Sequence, residues 1–215
     1  MGTLRVTLDA SNFDEMARIP FIKEIIFLSY ILNTIRSAQR FVVFTAERPP
    51  SPATQSDMLF GLVAASSFVY EGMDKANRIL QTLASHIPSE LHADVAWLRA
   101  EVVSGDFYKN VLEKIRNEIA FHFDERIVSQ HLQNAIKQYP PVFAEGTSTL
   151  IVDSSYVLAN EIVSQHIFKL AGAEEKKEEL VVQLVIRLRD YNLRLCNVLE
   201  RIVAELISNY AHVES

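Results

Sequence analysis

LVIRLRDYNLRLCNVLERIVAEL, residues Leu184 to Leu206, decides the fold class. Within it Leu184, Leu188, Tyr191, Leu195, Val198, Ile202 and Leu206 recur at steps of three and four, the spacing that lines one face of an α-helix. This helix is expected over about 174–211. Its run Glu174-Glu175-Lys176-Lys177-Glu178-Glu179 reads as a charged helix start, with acids placed against the dipole. Arg187, Arg194 and Arg201 repeat every seven residues and share one face. With Asp190 four before Arg194 and Glu205 four after Arg201, intrahelical pairs on a solvated face explain this stripe better than a phosphate track.

The same architecture extends toward the N-terminus. Proline cannot continue a helix interior, and the prolines at 20, 49, 50, 52, 88, 140 and 141 divide the chain into blocks. Pro20 reads as a first-turn residue of a helix reaching about 44–47, whose apolar face carries Ile22, Ile25, Ile26, Leu28, Leu32 and Ile35. After ERPPSP a second helix is expected from about 54–56 to 85, where Gly61, Ala64, Ala65, Ser66 and Gly72 permit close approach of a neighbour. Further helices are expected over 91–103, 107–120 (capped by Asp106 or Ser104), 125–138 and 155–170. EGTSTLIVD, 145–153, is the one convincing strand candidate in the body of the chain, short and β-branched, and is able to pair with RVTL at 5–8.

Composition supports this reading. Six glycines and seven prolines in 215 residues are about half the combined share of an average protein, roughly 12%. Sheet-rich folds need frequent Gly and Pro turns, so long helices joined by few loops are implied. The fold class is therefore all-α: a helical bundle with long C-terminal helices and room for at most one small β-hairpin or strand pair. A single helical domain over 1–215 is expected, with a core over about 20–139 and a C-terminal helical extension over about 142–215.

Several function classes are excluded. One cysteine, Cys196, allows no internal disulfide and no Cys-pair zinc site, and it reads as core. Trp97 likewise reads as a core anchor. The glycines stand too far apart for a phosphate cradle, and HExxH, ExxH and GxSxG are missing. No cofactor is expected. The start MGTLRVTLDASNF lacks the features of a signal peptide, and the apolar run Ile25 to Ile35 is too short to span a bilayer. A soluble cytoplasmic protein with no membrane partner is expected. The net charge of −6 gives no global attraction for nucleic acid, so an RNA site would have to be local.

The informative motif is KIRNEIAFHFD, Lys114 to Asp124. Arg116, the polar Asn117, four residues and then His122 resemble the signature of HEPN domains, in a chain otherwise helical. The resemblance is specific over about a dozen residues and loose around them. It implies a small all-α bundle, a homodimer, and a metal-independent endoribonuclease of the kind found in toxin–antitoxin pairs or phage defence. RNA and a cognate antitoxin or other partner protein are the implied partners, and the site would lie across the dimer interface. Two features depart from the family: the motif sits mid-chain, and the chain is acidic.

The chemistry of the motif is coherent without the family. RNA is cut without a metal when its 2′-hydroxyl attacks the adjacent phosphate, leaving a 2′,3′-cyclic phosphate. His122 suits the role of base because the unperturbed pKa of histidine is about 6.5. Arg116 supplies bidentate positive charge to the phosphate, and Asn117 donates to a phosphate oxygen or holds the His ring. Six residues along an α-helix rotate by ~600°, leaving Arg116 and His122 about 120° apart unless the helix ends near 121 or two subunits combine. Against catalysis stands the reading in which Arg116 pairs with Glu113 or a neighbouring carboxylate and His122 caps the helix C-terminus. The chain would then be a non-catalytic dimeric helical module that binds a partner protein. Glu118, His122 and Asp124 cluster three ligand types but lack a second His or carboxylate at ligand spacing, so a salt-bridge set is expected and no metal. The remaining histidines (86, 92, 131, 166, 212) are scattered.

Overall fold

The computed structural model describes residues 5–8, 13–120, 124–138, 145–146, 154–155, 157–172, 177–208 and 210–214. The chain is an all-α helical bundle carrying two short strand pairs. After β1 (Arg5–Leu8) and the single turn α1 (Phe13–Met16) come α2 (Ile22–Ala46) and α3 (Pro52–Thr82). α4 (His92–Ser104) leads into two π-helical stretches, Tyr108–Leu112 and Ile115–Ala120. α5 (Glu125–Gln138), β2 (Glu145–Gly146), β3 (Ser154–Ser155), α6 (Val157–Leu170), α7 (Lys177–Ile207) and β4 (Ala211–Glu214) complete the order.

α2 and α3 form the central antiparallel pair, and the glycines explain how closely they lie. A Cβ on Gly72 would stand 2.9 Å from Ile35 Cδ1, and one on Gly61 would stand 3.0 Å from Phe41 Cδ1. The small residues of α3 therefore admit the apolar ridge of α2, as expected. Pro20 lies in the turn rather than in the helix. Phe21 adopts φ 59°, which α-helix cannot include, so the helix opens at Ile22. The Phe21 ring is held at 4.5 Å from the His86 ring. α3 begins at Pro52 in the first turn, with Ser51 Oγ accepting from Thr54 N–H at 3.0 Å.

Neither expected cap serves the helix after Gly105. Asp106 instead accepts from the Asn110 side chain at 2.6 Å, and Ser104 Oγ donates back to Ala100 O at 3.2 Å. Gly105 is required where it stands, since a Cβ there would collide with the Glu101 backbone, 2.7 Å from its carbonyl oxygen.

One apolar cluster runs through the bundle, from Leu28 and Ile35 through Val69, Met73, Leu98 and Leu112 to Leu195 and Ile202. The C-terminal α7 thus contributes to the same core as α2 and α3. Its register places Leu184, Leu188, Leu195, Val198 and Ile202 inside, with Cys196 buried beside them as expected. The arginine stripe does not rest on intrahelical pairs. Arg187 lies over the Phe107 ring at 4.5 Å, Arg194 over Trp97 at 4.1 Å, and Arg201 Nη1 donates to Asp94 at 3.0 Å. These three cations dock α7 against α4 and Phe107. Trp97 is half-buried beneath Arg194, in edge contact with Tyr191.

The strand pairing also differs from expectation. RVTL pairs antiparallel with β4, Arg5 opposite Glu214 and Leu8 opposite Ala211. The stretch 145–153 pairs at its start with the residues just beyond it, Glu145 with Ser155 and Gly146 with Ser154. Residues 147–153 lie outside the described residues, as do 174–176. No helix among the described residues is long and apolar enough to cross a membrane.

Candidate functional site

Arg116 and Asn117 stand in the Ile115–Ala120 π-helical stretch, whose buried residues Ile115 and Ile119 anchor it in the core. π-Helical turns are rare and recur at functional sites. Over residues 115–120 the wider π-turn replaces the α-helical rotation. His122 itself, with Phe121 and Phe123, lies outside the described residues.

Arg116 meets a carboxylate, but a distant one. Its Nε and Nη2 both reach Glu71 Oε1 on α3 at 2.8 Å, and its Nη1 donates to Asn117 Oδ1 at 2.9 Å. Glu113, the nearer candidate in sequence, instead faces Lys109 at 3.5 Å. Both Arg116 and Glu71 keep about a third of their side-chain surface exposed, so the guanidinium is oriented without being sealed off. Asn117 is an acceptor here, and it steers Arg116.

The next residue opens a second cluster. His166 Nε2 on α6 lies 2.7 Å from Glu118 Oε2, and its Nδ1 lies 3.2 Å from His131 Nε2 on α5. Both imidazoles are buried, with ring planes at 76°. If His166 donates from Nε2 to the carboxylate, its neutral Nδ1 must accept, so His131 donates from Nε2. One set of tautomers therefore satisfies the whole chain of bonds. Burial lowers the His131 pKa first, followed by the charge of His166 and of Lys169.

Asp124, two residues beyond 122, is bound by Arg126 through Nε at 2.9 Å and Nη2 at 2.5 Å. These hydrogen bonds hold its carboxyl down to about 2. Glu118 and Asp124 thus answer to His166 and Arg126. Among the described residues no three His, Cys, Asp or Glu side chains gather at metal-ligating spacing.

No protein family matches the chain, and neither curated proteins nor solved structures yield a match.

Between α5, α6 and the π-helical stretch lies a cavity of about 380 Å³, walled by aliphatic side chains including Leu132, Leu158 and Ile162, with Glu118 at its edge. Sequence reasoning missed His131, His166 and this cavity. Thirty-five residues separate the two histidines, and only the packing of α5 on α6 joins them. His131 recurring with Ile127 and Ala135 at a four-residue step was the available sign of a buried histidine.

Proposed function

We propose that the chain is a HEPN-like, metal-independent endoribonuclease acting as a homodimer, with Arg116 as phosphate anchor, Asn117 as its steering residue and His122 as base. The observation that carries this reading is the Arg116–Asn117 side-chain bond on a half-exposed π-helical turn. A guanidinium held by Glu71 through Nε and Nη2 and by Asn117 through Nη1 is pre-oriented, and a fixed cation stabilises charge developing on a phosphorane better than a mobile one.

The dimer draws support from α2. Ile26 and Tyr30 near its start and Phe41 and Phe44 near its end are exposed on one side of the helix, with Phe60 of α3 in edge contact with Phe41. Asn33 and Ser37 lie between the two apolar ends. Two such helices, paired antiparallel about a twofold axis, set each apolar end against the other and the polar middle against itself.

A second reading has its own observation. Glu71 neutralises Arg116 without any RNA, which suits a non-catalytic dimeric module that binds a partner protein. RNA cleavage in EDTA separates the two. A labelled RNA pool incubated with wild type, Arg116→Ala and His122→Ala should yield 2′,3′-cyclic phosphate ends with wild type alone. Equal behaviour of all three proteins leaves the binding module.

A further inference from the structure

The cavity between α5, α6 and the π-helical stretch has features that the ribonuclease reading does not use. Its volume is about 380 Å³, whereas an apolar cavity of roughly 150 Å³ already accommodates benzene. Its walls are aliphatic, and the charged residues that line it are Glu118, Asp124 and Glu125, all acids. Asp124 is committed to Arg126, which leaves its carboxylate little to offer a ligand. Glu118 is different. Its Oε2 is fixed by His166, which is backed in turn by His131, while its Oε1 makes no hydrogen bond among the described residues. An aliphatic pocket with one immobilised carboxylate at its edge is complementary to a molecule with an apolar body and a single positive end.

We propose that this cavity binds a small aliphatic amine in its ammonium form, the chain packed against Leu132, Leu158 and Ile162 and the ammonium against Glu118. The alkyl chain supplies most of the affinity by leaving water, and the carboxylate supplies the preference for a cation. An anion would meet Glu118 and Glu125, the charge of Asp124 being offset by Arg126, and a neutral alcohol would forgo the charge pair. His166 and His131 are positioning residues: they hold the Glu118 carboxylate toward the cavity edge, so the charge is fixed before the ligand arrives.

The full chain is titrated with n-butyl-, n-hexyl- and n-octylammonium chloride and with n-octanol, following leucine and isoleucine methyl resonances. The methyl groups of Leu132, Leu158 and Ile162 are expected to move saturably. Affinity should tighten about threefold to fourfold per methylene, and octylammonium should bind up to roughly fivefold more tightly than octanol. Glu118→Gln should remove the difference between amine and alcohol while keeping the chain-length dependence. Ala159→Trp, at an exposed position on the cavity wall, should abolish both. Circular dichroism confirms that each variant is folded. Octanol binding as tightly as octylammonium to wild type, absence of chain-length dependence, or unchanged binding by folded Ala159→Trp would each overturn the assignment.

Discussion

Arg116 presents two nitrogens, Nε and Nη2, to one oxygen of Glu71, each at 2.8 Å, across 45 residues of sequence. This pair ties the π-helical stretch to α3. Because both side chains remain about one-third exposed, its contribution is that of a partly screened pair, about 1 kcal/mol. Glu71→Gln should lower the urea midpoint accordingly, with an unchanged m-value. A double-mutant cycle with Arg116→Ala should show coupling between the two positions. Additive losses would mean that the pair contributes nothing.

The buried histidines set a pH dependence with a defined sign. Unfolded His131 takes a proton near 6.5, whereas the folded protein resists it because burial, and then His166 and Lys169, disfavour the imidazolium. The stability that neutral His131 confers is therefore full above about 6.5 and is lost as pH falls through the lower folded value. Asp124 follows the carboxylate case: what Arg126 contributes is present above 3.8 and is lost as pH falls through about 2. His131→Gln, which keeps a donor near Nε2 but cannot titrate there, should flatten the upper of these two slopes in chemical denaturation between pH 7 and 5. An unaltered slope would remove His131 as its source.

Gly72 tests the close approach of α2 to α3. An alanine there gains about 1 kcal/mol of helix propensity but places Cβ 2.9 Å from the terminal methyl of Ile35, a flexible group that can yield. The two effects nearly cancel, so Gly72→Ala should change stability by less than about 1 kcal/mol. Gly72→Leu has no such escape and should cost about 3 kcal/mol, as other overpacked sites do. Thermal unfolding of the two variants distinguishes a tight interface from a loose one.

Phe44 is 65% exposed at one end of the apolar side of α2. Phe44→Glu should leave the unfolding midpoint within about 0.5 kcal/mol of wild type and convert a dimer to a monomer in sedimentation velocity. A variant that sediments like wild type would place any self-association elsewhere.

Arg194 lies 4.1 Å above the Trp97 ring. Arg194→Ala should shift the tryptophan emission and cost about 1 kcal/mol, through lost stacking and lost cover of the ring. Intrahelical pairing with Asp190 would instead leave the emission unchanged.

The helices and their faces were legible because local spacing specifies them. α5 begins and ends at the expected residues, Glu125 and Gln138. α7 buries Leu184, Leu188 and Ile202 as its period requires. What local spacing cannot carry is the identity of a partner on another helix. Arg194 has Asp190 one turn away, yet it settles on Trp97, because an aromatic face on a packed neighbour also covers the stem of the side chain. Arg116 passes over Glu113 for Glu71 for a similar reason: α3 lies against its own turn. The π-helical form of 115–120 left no mark in the residue pattern, since Ile115 and Ile119 fit an ordinary helical step equally well. His131 and His166 met only through tertiary packing, so the second cluster stayed hidden.

The pairing of Arg5–Leu8 with Ala211–Glu214 has a kinetic consequence. These four-residue strands close a loop of nearly the whole chain, and the entropy of that closure exceeds what so short a ladder returns on its own. The ladder can therefore persist only after α2 and α7 have packed and brought its halves within reach. It should be the last element to assemble and the first to fray. Amide exchange at Val6 and Val213 would then report local opening, well below the free energy that unfolds the bundle.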